Sequence, residues 1–360
     1  MIRLGIIGLG QAAQLLHLPN LDKMEDMFNV TAVSDISKNL TEYIANKYHV
    51  TNRFTNALDL IHCPEIDAVM IMCAGDHADY AIAALEAGKH VFIEKPMTYR
   101  LDKAESLMEV KQNHPDLVAM VGYCRRYNDS FIKMKELLQN DSRPISYVRA
   151  RTIVLEGPWY LKNTHEEKKA DDLDPASRDI MIKRMFNEIN EIMGGNATKA
   201  QMQTYLAITS SGCHVLSAVR ELFGLPKAIR SAVISPTGMQ FTLIFEYDGF
   251  NLTFEEMNDQ EIVQFDESIE VYQGTRKMHL KYDTPYIRYL PSKLTVSELD
   301  EDKQAKVTIY GPQYHDMFGN ELKEFYRCIS EHDRPKCDVF DAAEDVKLYI
   351  DVAKKIVEGA

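Results

Sequence analysis

The 360-residue sequence predicts an α/β protein: a doubly wound parallel sheet of the Rossmann type, followed by a strand-rich second region. Three observations carry this. A buried-strand pattern, Ile2 to Ile7, runs straight into the turn Gly8-Leu9-Gly10-Gln11-Ala12-Ala13 and a helix through Leu15, Leu16 and Leu18. Apolar, β-branched runs then alternate with helical patterns as far as Gly122, as the crossover units of a parallel sheet do. From Ile145 the pattern shifts to the alternation of half-buried strands and hairpins.

Size and charge narrow the classes. The length suits two domains. A net charge of −13, with no basic block, argues against nucleic acid. No apolar run is long enough to span a bilayer, and the chain opens on a strand without a signal-peptide pattern, so no membrane partner and a cytoplasmic location are expected. The six cysteines are scattered and form no C-x-x-C pair. Reduced thiols are expected, with neither a disulfide framework nor a metal site.

Each element of the first domain places candidate groups. In the G-x-G-x-x-A turn, Gly8 makes the tight bend, Gly10 lets the backbone approach a pyrophosphate and Ala13 lets the helix pack closely on the sheet. Gln11 and Ala12 belong to the same turn, where the helix start offers N–H donors to phosphates. The next strand, Val30 to Ser34, ends at Asp35, the position of a ribose-hydroxyl acceptor. Asp35 favours NAD; the nearby cation Lys38 leaves NADP open. The strand Ala68 to Met72 leads into Cys73-Ala74-Gly75-Asp76-His77, whose small residues leave room for a cofactor. His77 reads as a helix-start residue near that cofactor and not as a proton carrier. Strand Lys89 to Ile93 then stops at Glu94-Lys95-Pro96. Pro96 ends the strand and leaves the Lys95 ammonium at the carboxyl edge of the sheet. Asp102 and Glu105 suggest a capping box for the next helix. A last strand, Val118 to Gly122, delivers Tyr123-Cys124-Arg125-Arg126-Tyr127-Asn128.

In the second region, a strand from Ile145 to Leu155 is broken by Gly157-Pro158-Trp159-Tyr160. Trp159 reads either as the wall of a sugar pocket or as a packing residue. Residues 162–203 are charged and mostly helix-like. Their stripe of Met181, Ile182, Met185, Phe186, Ile189 and Ile192 suggests core or subunit packing, with a substrate lid as the alternative. Ser210-Ser211-Gly212-Cys213-His214 opens a helix with Val215, Leu216 and Val219 on its buried face. His214 is the candidate base, because imidazole titrates near neutrality. Hairpins are expected around Asp248-Gly249 and Gly274. Two amphipathic helices close the chain.

The glycine turn, the E-K-P strand end, the G-Y-C-R-R-Y segment and the G-C-H sequence together resemble the glucose–fructose oxidoreductase / inositol dehydrogenase (Gfo/Idh/MocA) family over essentially the whole chain. The resemblance implies a Rossmann domain, here 1–122, and an α+β substrate-binding and oligomerisation domain with a large, mostly antiparallel sheet, here 123–360, the final helices packing back toward the first. It implies NAD or NADP, a sugar-like substrate, and a homodimer or homotetramer formed through the second sheet. Within it, Lys95 contacts the reacting oxygen and the nicotinamide side, and His214 carries the proton. Glu94 and Arg125 join the expected cofactor contacts; Arg126 and Ser210 join Trp159 as expected substrate neighbours. Many members carry an aspartate where this chain has Ser210, and a hydroxyl supports an imidazolium less than a carboxylate does. The expected function is hydride transfer to or from a sugar, polyol or derived carbonyl. The rivals are a tightly NAD-bound enzyme with transient redox, catalysing elimination or glycoside cleavage, and a cofactor-binding regulatory protein.

Overall fold

The computed structural model describes residues 1–154, 167–258 and 265–359. The chain forms two compact units. The first comprises Met1–Gly122, His165–Glu188 and Phe318–Lys347; the second comprises Tyr123–Thr164, Ile189–Met317 and Leu348–Ala360. Two segments far beyond residue 122 therefore belong to the first unit.

The first unit is built on six parallel strands: β1 Ile2–Ile7, β2 Phe28–Ser34, β3 Asn52–Phe54, β4 Ala68–Ile71, β5 His90–Glu94 and β6 Ala119–Gly122, in the order β3-β2-β1-β4-β5-β6. Leu4, Ile6, Val69, Met70, Phe92 and Ile93 are fully buried, as strands covered on both faces require. The order turns around at β1 and β4, so their carboxyl ends flank the switch point where open sheets take ligands. A π-helical segment, Ala13–His17, and the short α1, Leu18–Leu21, follow β1; α2 Lys38–Lys47, α3 Ala57–Ile61, α4 Ala78–Glu86 and α5 Leu101–Asn113 follow in turn. The expected Asp102–Glu105 capping box is absent. Arg100 occupies the N-cap, and Asp102 sits inside the first turn, paired with the Arg100 guanidinium at 2.9 Å.

In the second unit, α6 Asp129–Gln139 precedes β7 Ile145–Val154. Three helices follow: α7 Pro175–Ile192, which lies in the first unit as far as Glu188, then α8 Lys199–Ala207 and α9 Cys213–Phe223. The remaining strands are β8 Ala228–Ile234, β9 Gln240–Glu246, β10 Asn251–Asn258, β11 Asp266–Gln273, β12 Arg276–Tyr282, β13 Ser292–Leu299 and β14 Ala305–Gln313. They form one sheet, β14-β13-β12-β11-β7-β10-β9-β8, antiparallel except between β7 and β10. Alternate residues such as Val148, Ala150, Leu243, Phe245, Leu252, Phe254, Ile269 and Val271 form its buried face. Both expected hairpins are present, turning at Gly249 and Gly274 with φ of +84° and +56°.

Two helices end the chain, α10 Met317–Glu331 and α11 Val339–Glu358. Phe325 of α10 packs against Phe28 and Phe92, with ring centroids 6.4 and 5.6 Å apart. The stripe on α7 departs from a continuous buried face. Ile189 is buried, but Met181 and Ile182 are exposed, and Met181 borders the cavity described below.

The start of α9 also departs from expectation. The chain is helical from Lys199 to Phe223, with a π segment, Ile208–Gly212, in the middle. Ser and Gly read locally as a helix boundary, yet a tertiary partner keeps the backbone helical. The Ser211 hydroxyl donates to Glu256 Oε1 at 2.5 Å, and a Cβ on Gly212 would lie 2.2 Å from Glu256 Oε2. The carboxylate thus fits only against a glycine, and the turn widens around it.

Candidate active site

The glycine turn uses its two glycines for different reasons. Gly8 has φ +87°, and a Cβ there would meet the Cys73 nitrogen at 2.3 Å. The backbones leaving β1 and β4 approach too closely for any side chain. Gly10 has nothing within 4 Å of its missing Cβ and faces an open cleft of about 680 Å³. Gly8, Gln11, Asp35, Cys73 and Ala74 also line that cleft. Ala13 is buried where the helical segment meets the sheet, and Ala12 is the N-cap of the π segment. Asp35 Oδ2 accepts from the Leu9 N–H at 2.8 Å and Oδ1 from the Ser37 N–H at 2.9 Å. A carboxylate with two such bonds still has lone pairs for a ribose hydroxyl. Lys38 is exposed at the first position of α2. Burial pushes the Cys73 thiol up to about 11, so it is a neutral wall of the cleft and not a nucleophile. An open glycine cradle, a helix start and a carboxylate at the tip of β2 fit a bound dinucleotide.

At the next strand end, Glu94 is buried and Lys95 half-buried. Glu94 Oε1 lies 2.5 Å from His17 Nε2, and its Oε2 accepts from the Lys95 N–H at 3.0 Å. Burial pushes the Glu94 carboxyl up, but the His17 hydrogen bond and the His17 and Lys95 charges outweigh it and hold it below its ordinary value. Glu94 thereby acts as the clamp that fixes the backbone carrying Lys95. His77 is buried, with Nδ1 2.8 Å from the Pro96 carbonyl and Nε2 2.7 Å from the Cys73 carbonyl. It bridges the ends of β4 and β5 and does not line the cleft.

In the second unit, the turn Cys124–Tyr127 places Cys124 Sγ 3.7 Å from His214 Nδ1. Which nitrogen of an imidazole carries the proton is set by what the other one contacts. The fully buried Cys124 thiol therefore stands where an orienting group stands. The Ser210 hydroxyl, expected beside the imidazole, donates to the Ala207 carbonyl at 3.3 Å. The two arginines differ from expectation. Arg125 is 2% exposed; its Nε donates to Glu267 at 2.6 Å, and its guanidinium lies 5.3 Å over the Tyr282 ring. Arg126, equally buried, pairs with Glu221, which also takes Lys135 at 2.8 Å. These buried cations neutralise carboxylates of their own unit. Trp159 lies outside the described residues.

Several participants escaped the sequence reading. Cys124 lies inside the G-Y-C-R-R-Y segment, but no local pattern pairs it with a residue 90 positions away. His17, Glu94 and Glu321 form a buried trio whose ligand-type atoms lie within 4.8 Å of one another, assembled from β5 and two helical segments. Glu167, Lys168, Lys169, Ala170 and Leu173, in a stretch that reads locally as charged surface, line the cleft.

A parallel sheet with a glycine-lined cleft at its switch point defines an NAD(P)-binding Rossmann protein. Residues 2–123 match the model of the oxidoreductase family with NAD-binding Rossmann fold. The chain is 32% identical to the uncharacterised oxidoreductase YrbE of Bacillus subtilis, over 92% of its own length and 88% of that protein. It is also 32% identical to an inositol 2-dehydrogenase/D-chiro-inositol 3-dehydrogenase of Shouchella clausii, over 39% of its own length. That match spans only 41% of the inositol dehydrogenase. Among solved structures, an aldose–aldose oxidoreductase from Caulobacter crescentus superposes with a TM-score of 0.73 at 17% identity, covering 100% of this chain and 98% of that one. The chain belongs to the Gfo/Idh/MocA family of oxidoreductases.

Proposed function

We propose that the protein is an NAD-dependent dehydrogenase acting on a polyol or sugar. The observation that carries this reading is the Gly8–Gly10 cradle opening on the cleft beside Asp35. The relatives named as inositol dehydrogenases support a cyclic polyol as the first substrate to try. Gly10, the helix start and Asp35 would hold the dinucleotide. When bound, its nicotinamide ring supplies the hydride acceptor or donor.

This chain's own residues then do the following. Lys95, fixed from below by Glu94, donates a hydrogen bond to the reacting oxygen and stabilises its developing negative charge. His214 takes the hydroxyl proton in the oxidative direction and returns it in the reverse one. With Nδ1–H donating to the Cys124 sulfur, Nε2 is the nitrogen that exchanges the proton. Copies of the chain associate through the sheet of the second unit.

The test is a titration of purified protein with NADH, followed by NAD+ with a panel of inositols and aldoses. A rise in reduced-nicotinamide absorbance with one or a few polyols is the expected result. Saturable dinucleotide binding with no turnover across the panel would sink the dehydrogenase reading and leave a binding protein.

A further inference from the structure

Within the first unit, Glu167, Lys168, Lys169, Ala170 and Leu173 line the cleft, and this stretch is anchored at both ends, with Asp172 just beside the lining. Glu167 Oε2 accepts from the Gln11 side chain at 3.3 Å. The Lys168 N–H donates to Gln14 Oε1 at 3.0 Å, and its carbonyl accepts from Gln14 Nε2 at 3.0 Å. Gln14 is buried, so this end of the strap is fixed to the helical segment after the glycine turn. At the other end Asp172 reaches α2. Its Oδ2 accepts from the Asn39 N–H at 3.0 Å, and its Oδ1 accepts from the Ser37 hydroxyl. Asp171 Oδ1 accepts from the Asn39 side chain at 2.9 Å.

The place matters because the N-cap of α2, Ser37, comes two residues after Asp35. A 2′-phosphate on the adenosine ribose would be received there, by the N–H groups of the helix start and a serine hydroxyl. In this chain those donors are given to Asp172. The Ser37 hydroxyl and the Asn39 N–H hold the Asp172 carboxyl below the usual range, so it is an anion at neutral pH. Asp35 lies beside this corner and lines the cleft, with lone pairs left for the ribose hydroxyl. Both its oxygens accept backbone N–H groups and tie the glycine turn to the β2 end. The exposed Lys38, the feature that left NADP open, lies on the turn that Asp172 covers. A ribose with a free 2′-hydroxyl brings no charge to this corner, whereas a 2′-phosphate meets a carboxylate already occupying its donors.

We propose that Asp172, carried on the strap 167–173, is the cofactor-selecting residue: it occupies the N-terminus of α2 and makes the cleft take NAD in preference to NADP. This rests on the dinucleotide reading above. The experiment measures equilibrium binding of NADH and NADPH, by nucleotide fluorescence, to wild type, Asp172→Asn and Asp172→Ala. Asp172 is exposed, so both variants should fold. Wild type is expected to bind NADH at least about tenfold more tightly, ~1.4 kcal/mol, and rising salt should narrow that gap. Asp172→Ala should shrink it by about tenfold through gained NADPH affinity, with NADH affinity held within about threefold. Asp172→Asn, which removes the charge and keeps an acceptor, should fall between. Preference for NADPH in wild type, or an unchanged ratio in both variants, overturns the proposal. Equal loss of both nucleotides also overturns it and makes the strap a mere scaffold. If wild type binds neither nucleotide, the dinucleotide reading itself fails, and this inference with it.

Discussion

In sequence, the cleft edge of the first unit resembles the arginine cluster that opens the other unit: each is a short motif just past a strand. They are physically opposite. At Gly8 the missing side chain lets two backbones close up, and at Gly10 it leaves space, with a carboxylate and a helix start at the rim. Around Arg125 and Arg126 it brings charges together and buries them against Glu267 and Glu221. A buried cation with its own carboxylate is a structural part, because exposing it to a ligand would strand the partner's charge. Residue type therefore says little about ligand binding until the partner is known, whereas the absence of a side chain says much.

The sharpest way to break this contrast is to remove one cation of the second unit. Arg125→Met leaves Glu267 buried without its ion pair and should cost about 3–5 kcal/mol of stability, read by urea or thermal unfolding. A loss below about 1 kcal/mol, combined with weakened NADH binding, would return Arg125 to the cofactor. The glycine turn supplies a paired test. Gly8→Ala should destabilise the fold by at least about 1–3 kcal/mol from the left-handed backbone alone, before the clash with Cys73 is counted. Gly10→Ala should fold normally and lose about tenfold or more in NADH affinity. Equal behaviour of the two alanines would show that the cleft is not a pyrophosphate cradle.

A smaller effect separates the units by pH. Glu94 and Glu256 share an ordinary value of 4.5 and shift in opposite directions. Glu94 is held low, so its contribution is present above about 4.5 and is lost as acid titrates it. Burial raises Glu256 well above 4.5, and the Ser211 and Gly212 hydrogen bonds offset this only in part. Its contribution is complete below 4.5 and fades as the pH rises toward its folded value. Unfolding measured across pH should show Glu94→Gln flattening the acid side and Glu256→Gln flattening the alkaline side. If either variant flattened the other side, the sign of its shift would be wrong.

What was legible in the sequence follows the same division. Hydrophobic period gave five of the six strands of the first sheet, the short β3 excepted, and glycines gave the turn and both hairpins, because these signals are local. The E-K-P strand end placed Lys95 at the carboxyl edge for the same reason. Partners across the chain were not legible. Nothing near Cys124 announces His214, nothing near Ser37 announces Asp172, and Arg125 looks like a ligand-binding arginine until Glu267 arrives from β11. The π segment before His214 was missed because Ser211 and Gly212 signal a boundary locally, and only the buried Glu256 keeps the helix running through them.

In the proposed function the first unit binds the dinucleotide with its backbone and supplies one chemical group, Lys95, to the reaction. Lys95→Met, assayed with NAD+ and the best polyol of the panel, tests it most directly. NADH affinity and the unfolding midpoint should stay at wild-type values while turnover falls by about 10²–10³-fold, the loss expected on removing a donor to a developing oxyanion. Turnover within about twofold of wild type, with the dinucleotide still bound, would take Lys95 out of the chemistry and contradict the account.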